Sequence, residues 1–225
     1  HKIGLIPRTA GTSLAGQVVG SGIVVDVSRT FTRILEINTD EHWVRVEPGV
    51  IRNELNMALT PHGLFFGPET STQNRAMMGG MLGNNSCGSN SIKYGSTRDH
   101  VLEVTALLSD GSTVVFGSLS KAEFDAKCNG PDSLETQLYR DIRDMLKDPE
   151  TRDEIRAEFP HPDIPRRNTG YALDLLMDAE AIDPDSDKCF NFGKLIAGSE
   201  GTLCFVTEIK LHCEPPPPPV SGVQC

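Results

Sequence analysis

Pro7-Arg8-Thr9-Ala10-Gly11-Thr12-Ser13-Leu14-Ala15-Gly16-Gln17-Val18-Val19-Gly20-Ser21-Gly22-Ile23-Val24-Val25-Asp26-Val27 holds two near-misses to familiar phosphate loops, and both failures bear on the fold. Gly11 and Gly16 have the spacing of a P-loop, but Gln17 and Val18 stand where that loop needs Lys and Ser or Thr. Gly20-Ser21-Gly22 opens like a dinucleotide fingerprint. Val25, however, takes the third glycine position, and the segment enters a strand rather than leaving one. This is neither an NTPase loop nor a Rossmann turn. Ile23 to Val27 reads as a buried, β-branched strand. Pro7 to Gly16 has two readings, a surface loop or an anion cradle. In the second, small residues let backbone N–H groups converge, and Thr12 and Ser13 add hydroxyl donors.

Outward from this stretch, helices and strands mix without a βαβ period. Trp43 to Val46 alternates and stops at Pro48-Gly49, as a strand ending in a turn does. Ile51, Leu55 and Leu59 fall four apart before Pro61 and Gly63, which predicts a short amphipathic helix. Val101 to Leu108, Ser109-Asp110-Gly111-Ser112 and Thr113 to Phe116 predict a β-hairpin. Leu134, Leu138, Ile142 and Met145 mark one face of a helix reaching about Lys147, and Thr151 to Phe159 predicts another, closed by Pro160, Pro162 and Pro165. Leu203 to Leu211 reads as a late strand. The sum is an α+β fold, and no repeat is visible.

Of the 225 residues, 38% are hydrophobic and 23% charged, the balance of a soluble globular chain. The 31 acidic and 21 basic side chains give a net charge of -10, and no Lys/Arg cluster supplies the basic face that nucleic acid requires. Apolar runs are too short for a transmembrane segment. Six cysteines form no C-x-x-C pair, which predicts reduced thiols, and six scattered histidines show no metal-ligand spacing. No charged-then-apolar leader opens the chain. The expected location is cytoplasmic, or peripheral at the inner membrane. Pro215 to Pro219 favour an extended spacer, so residues 215–225 are expected to link residues 1–214 to a further domain.

Three more segments carry small or glycine-rich sequence. Gly67-Pro68-Glu69-Thr70-Ser71-Thr72 is one. In Met78-Gly79-Gly80-Met81-Leu82-Gly83-Asn84-Asn85-Ser86-Cys87-Gly88, the glycines permit close approach of a flat ring, and Asn84, Asn85 and Ser86 could donate to it. A glycine-packed helix followed by a polar turn explains the same residues. Gly198-Ser199-Glu200-Gly201-Thr202-Leu203 is a tight turn feeding the late strand.

Taken in order with Ile92-Lys93-Tyr94-Gly95, these segments resemble the FAD-linked oxidase family of the p-cresol methylhydroxylase and vanillyl-alcohol oxidase fold. The D-lactate, glycolate and D-2-hydroxyglutarate dehydrogenase branch is the nearest in look. The resemblance covers nearly the whole chain. It implies an α+β, two-lobed FAD-binding domain, truncated at both ends, with a first lobe of about residues 1–60 and a second of about 61–214. Pro7, Arg8, Thr9, Ala10, Gly11, Thr12 and Ser13 should hold the pyrophosphate and ribityl chain. Glu69, Thr70, Ser71, Thr72, Met77, Gly79 and Gly80 should line the isoalloxazine and its approach. Asn84, Asn85, Ser86 and Gly88 should contact the flavin or the adenosine half, and Glu200, Gly201 and Val206 should close over the cofactor.

The implied activity is an FAD-dependent dehydrogenase of a small 2-hydroxy acid such as D-lactate or glycolate, passing electrons to an unknown acceptor. An NADPH-dependent enolpyruvyl reductase and a non-catalytic flavin-binding module are the alternatives. Thr12 stands where covalently flavinylated relatives carry His, so FAD is expected to be non-covalent. Thr9-Ala10 replaces a common Gly-Gly, and Cys204 replaces a usual Gly, read as a small apolar strand residue. Any metal ion or iron–sulfur centre, the carboxylate-binding arginine and the base belong to parts of the protein outside this chain. Arg166 and Arg167 have two readings, substrate-facing charges or a solvated turn.

Overall fold

The computed structural model describes residues 3–161, 163–164, 167 and 170–218. Among the described residues, seven strands fall into two sheets. β1 (Leu5–Arg8) and β2 (Ile23–Asp26) form a parallel pair. β3 (Ile34–Asn38), β4 (Trp43–Val46), β5 (Val101–Leu107), β6 (Thr113–Phe116) and β7 (Phe205–His212) form an antiparallel sheet in the order β3-β4-β7-β5-β6. Sheet membership changes between Asp26 and Ile34.

Period-2 alternation sorts the larger sheet into two faces. Val44, Val46, Val104, Ile209 and Leu211 point into the core. On the other face Arg45 pairs with Glu103 at 2.6 Å and Glu208 at 3.5 Å, across three neighbouring strands. Lys210 lies 3.9 Å over the Trp43 ring. The β5–β6 hairpin turns as its sequence dictates. Gly111 takes a left-handed φ, and Asp110 Oδ1 accepts from the Ser112 amide at 2.9 Å.

Helices α1 (Arg52–Leu59), α2 (Met78–Asn84), α3 (Ser91–Tyr94) and α4 (Thr97–His100) precede the hairpin. α5 (Lys121–Cys128), α6 (Leu134–Lys147), α7 (Pro149–Glu158), α8 (Leu173–Met177) and α9 (Gly193–Ile196) follow it. α1 ends as read: Pro61 lies in a short 3-10 turn and Gly63 closes it in the left-handed region. Phe116, Phe124, Tyr139, Phe190 and Phe192 meet edge to face or tilted, joining α5 and α6 to the sheet edge.

Three readings need correction. Ile23 and Val24 are 53% and 46% exposed rather than buried, because β2 pairs only with β1 among the described residues. Only Val27, just past the strand, is enclosed. The buried face of α6 runs through Tyr139, Ile142 and Leu146, leaving Met145 exposed; aromatic packing by Tyr139 rotates the face from the one the aliphatic residues mark. α7 starts two residues earlier than Thr151. Asp148 caps it by accepting from the Thr151 amide at 2.9 Å, and Pro149 takes the first helical position.

Candidate cofactor site

The segments with the least side chain converge on one cavity of about 490 Å3, within the range of small-molecule and cofactor sites. Its first wall is the irregular stretch after β1, with Pro7 and Thr9 through Ala15. Gly11 is left-handed, and the Arg8 guanidinium occupies the space its Cβ would need, with Nε 3.1 Å from that point. Arg8 itself turns away and pairs with Asp26 at 2.7 Å.

Thr70, Ser71 and Thr72 make the second wall. Their turn is closed by the Gln73 amide on the Thr70 carbonyl and the Ala76 amide on the Thr72 carbonyl. The Thr72 hydroxyl donates to Thr12 Oγ1 at 3.4 Å, linking the first two walls. Behind this wall Arg52, 4% exposed, donates to the carbonyls of Phe66 and Pro68 and to Gln73 Oε1, fastening both ends of the turn.

The third wall is α2, where three glycines in seven residues let neighbouring chains lie against helix backbone. Gly79 packs on Pro48 and Gly80 faces the Thr9 hydroxyl. The C-terminal carbonyls of α2 are used by the fourth wall: the Gly198 amide donates to Leu82 and the Glu200 amide to Gly83, each at 2.9 Å. Glu200 is left-handed at φ 53°, and its Oε1 accepts from Asn84 Nδ2 at 3.1 Å. Gly201 closes on the Pro7 ring, and Cys204, just before β7, and Val206 on it add to the lining. Burial pushes the Cys204 thiol up to about 11, so it stays a neutral thiol at physiological pH.

Most of the residues expected at a cofactor meet here: Pro7, Thr9 to Ser13, Thr70 to Thr72, Met77, Gly79, Gly80, Asn84, Ser86, Glu200, Gly201 and Val206. Arg8, Glu69, Asn85 and Gly88 do not line the cavity. Glu69 accepts from the Ser89 hydroxyl, and Gly88 leaves room for the Glu69 carbonyl. Asn85, fully buried, ends α2 in the left-handed region and accepts from the Arg98 amide at 2.8 Å. Arg167 pairs with Asp174 away from the cavity, and Arg166 lies outside the described residues. Sequence reading missed Leu14, Gln17, Val18, Pro48, Ser199 and Phe205 as lining residues. Leu14 and Ser199 fall inside the small-residue segments, and Pro48 in the turn that ends β4; the others carried no signal.

The donor set suits a diphosphate joined to a flat ring. Among the described residues, the backbone N–H groups from Ala10 to Val18 have no main-chain acceptor, which leaves them free to donate to a ligand or to water. Threonine and serine hydroxyls add neutral donors, and the glycine backbones of α2 offer a surface without side chains. The model of the FAD binding domain family matches residues 1–117. The chain belongs to this family.

FAD is accordingly its cofactor, and the α+β fold is that of such domains. Two solved structures of alkyldihydroxyacetonephosphate synthase share the fold. One has a TM-score of 0.55 over 94% of this chain and 27% of its own, and the other 0.57 over 95% and 29%, both at 18% identity. D-2-hydroxyglutarate dehydrogenase of Pseudomonas putida is 41% identical over 96% of this chain and 20% of its own length. The enzyme of that name from Escherichia coli is 40% identical over 91% and 19%. Glycolate oxidase subunit GlcD of Bacillus subtilis is 33% identical over 52% of this chain and 25% of its own. The chain thus spans about a fifth of the length of the D-2-hydroxyglutarate dehydrogenases it matches.

Proposed function

We propose that the four-walled cavity holds FAD and that the intact protein is an FAD-dependent dehydrogenase of a D-2-hydroxy acid, of the 2-hydroxyglutarate class. The observation that carries the substrate class is coverage. Similarity to D-2-hydroxyglutarate dehydrogenases runs through 96% of the chain, past the cavity's fourth wall, whereas similarity to the glycolate oxidase subunit covers 52%. Under this reading residues 1–214 are the FAD-binding part, and residues 215–225 lead toward the part that selects the substrate.

In the proposed complex, the amides of the Ala10–Ser13 stretch hold the diphosphate, and Thr12, Thr70 and Thr72 supply hydroxyl donors. The glycine face of α2 takes the flat ring. Glu200 and Gly201 exclude water from one side. FAD bound there supplies the acceptor for a hydride from the substrate's α-carbon. Thr12 offers no ring nitrogen for attachment, so the cofactor leaves intact when the protein is denatured.

No group of three or more His, Cys, Asp or Glu among the described residues is placed to hold a metal ion, and none of their helices is long and apolar enough to cross a membrane. Any metal, base and electron acceptor of the reaction would come from elsewhere in the protein or from a partner. A cytoplasmic location, or one at the inner membrane's surface, goes with this reading, and the net charge of -10 argues against nucleic acid as partner.

The test is anaerobic mixing of the intact, FAD-loaded protein with candidate reductants. Bleaching of the flavin band by D-2-hydroxyglutarate, with slower or no bleaching by its L-enantiomer, D-lactate and glycolate, is the expected result. Bleaching by NADPH instead would move the protein to the reductase reading, and bleaching by none would leave a flavin-binding module.

A further inference from the structure

We infer that Arg98 is a positioning residue for the flavin site: from behind the fourth wall, its guanidinium locks the Gly198–Gly201 turn and the Gly170 backbone onto the family-matched part of the chain. Arg98 lies on α4, 4% exposed. No carboxylate is in ion-pair contact with it among the described residues. Instead Nε donates to the carbonyls of Lys194 at 3.0 Å and Ala197 at 3.2 Å, and Nη2 donates to Ala197 at 2.6 Å and to Gly170. Lys194 answers with its own ammonium on the carbonyls of Arg98 at 2.8 Å and Val101 at 3.1 Å.

The guanidinium therefore sits where α9 ends and the cavity turn begins. Ala197 directly precedes Gly198, whose left-handed Cα is pressed against the same guanidinium; a Cβ there would lie 2.5 Å from Nη2. From the opposite side the Arg98 amide is held by Asn85, the residue that ends α2. Arg98 thus touches the last residues behind two cavity walls without lining the cavity. Tyr171, next to Gly170, adds an outer tie through its hydroxyl, 2.6 Å from Thr202 Oγ1.

A buried cation that satisfies its N–H groups on main-chain carbonyls is costly to desolvate, and burial lowers the Arg98 pKa to about 10. Sequence distance makes the geometry more telling. Gly170 and Ala197 lie 72 and 99 residues from Arg98 and outside the region that the family model matches. A planar guanidinium fixes the directions of its donors toward these carbonyls, whereas a lysine ammonium, a point charge on a flexible stem, sets no such rigid geometry.

The inference rests on the assignment of the cavity to FAD. The experiment measures FAD affinity by flavin fluorescence, the visible circular dichroism of bound flavin, and thermal midpoint, in the intact protein. Arg98→Lys is compared with Ile155→Val, a core change on α7 remote from the cavity that lowers the midpoint without touching the turn. Arg98→Lys is expected to weaken FAD by at least about tenfold and to alter the dichroism, while Ile155→Val leaves both at wild-type values. Equal affinity and equal dichroism in Arg98→Lys would overturn the role. So would a loss of affinity in Ile155→Val that matches its loss of stability. Should Arg98→Lys fail to fold, hydrogen exchange on the wild type decides. FAD must slow exchange at Gly170 and Tyr171 together with residues 197–201, and protection confined to 197–201 overturns the inference. Wild-type protein that binds no FAD would instead end the cavity assignment.

Discussion

Gly79 donates its backbone N–H to the Pro48 carbonyl at 2.8 Å, and a methyl on its Cα would lie 2.5 Å from Pro48 Cβ. That contact joins the turn after β4 to the first residues of α2, two borders of one cavity, and only hydrogen fits between them. Gly83, one turn further along α2, has nothing closer than 3.6 Å to the same added atom.

The two glycines should therefore part company on substitution. Gly83→Ala gains helix propensity and is expected to be neutral or stabilising by up to about 1 kcal/mol. Gly79→Ala gains the same propensity but must move a proline ring and its backbone, with an expected net loss of about 1–3 kcal/mol. Urea denaturation of both variants measures this, and equal midpoints would show that the Gly79–Pro48 contact is not tight.

Asn85 combines a left-handed φ with an acceptor for the Arg98 amide. Asn85→Gly keeps the backbone conformation and loses the acceptor, at an expected cost of about 1–3 kcal/mol. Asn85→Ala adds the left-handed penalty, roughly 1–2 kcal/mol more. The order wild type, Gly, Ala in denaturation midpoint is the check, and an Ala variant as stable as the Gly variant would refute it.

Glu47 accepts from the Arg33 amide at 2.8 Å and from its guanidinium at 2.8 Å and 3.2 Å, next to the Pro48 turn. The Arg33 hydrogen bonds hold its carboxyl below the usual range. A carboxylate with a lowered folded pKa stabilises the fold above its unfolded pKa, about 4.3, and that stability is lost as pH falls through the folded value. Glu47→Gln should thus melt below wild type at neutral pH, with the gap narrowing as pH falls below the unfolded carboxylate value. A gap independent of pH would exclude this linkage.

Cys204 lies in the cavity wall with its thiol pushed up by burial, whereas Cys189 is exposed. Thiolates are the reactive form, so iodoacetamide at neutral pH should label Cys189 well before Cys204. Added FAD should slow Cys204 further and leave Cys189 unchanged. Peptide mass mapping reads both rates, and FAD protection of Cys189 alone would place the cofactor elsewhere.

Legibility followed locality. The hairpin from Val101 to Phe116 and the end of α1 at Pro61 and Gly63 were written in turn chemistry, which needs no tertiary partner. The cavity segments were readable because glycine and small hydroxyl residues cluster where backbone must be exposed. Asn85 looked like a donor to the cofactor, but polar type alone does not show direction, and its neighbour in space is 13 residues away. Arg52 and Arg98 carried no signal at all. An arginine in a short helix reads as solvated surface, and its burial depends on carbonyls brought in from distant parts of the chain. The exposure of Ile23 and Val24 was equally hidden, since a β-branched run does not state how many strands flank it.

The most direct test of the account is equilibrium titration of FAD into the intact apoprotein beside a Gly80→Leu variant, with flavin fluorescence as readout. Gly80 is exposed and borders the cavity, and a Cβ there would lie 2.6 Å from Thr9 Oγ1, so a leucine would push against the loop wall and into the space assigned to the cofactor. The account predicts saturable, equimolar binding by the wild type and at least about tenfold weaker binding by the variant, a loss of about 1.4 kcal/mol or more. Wild-type affinity in a folded Gly80→Leu protein would contradict it.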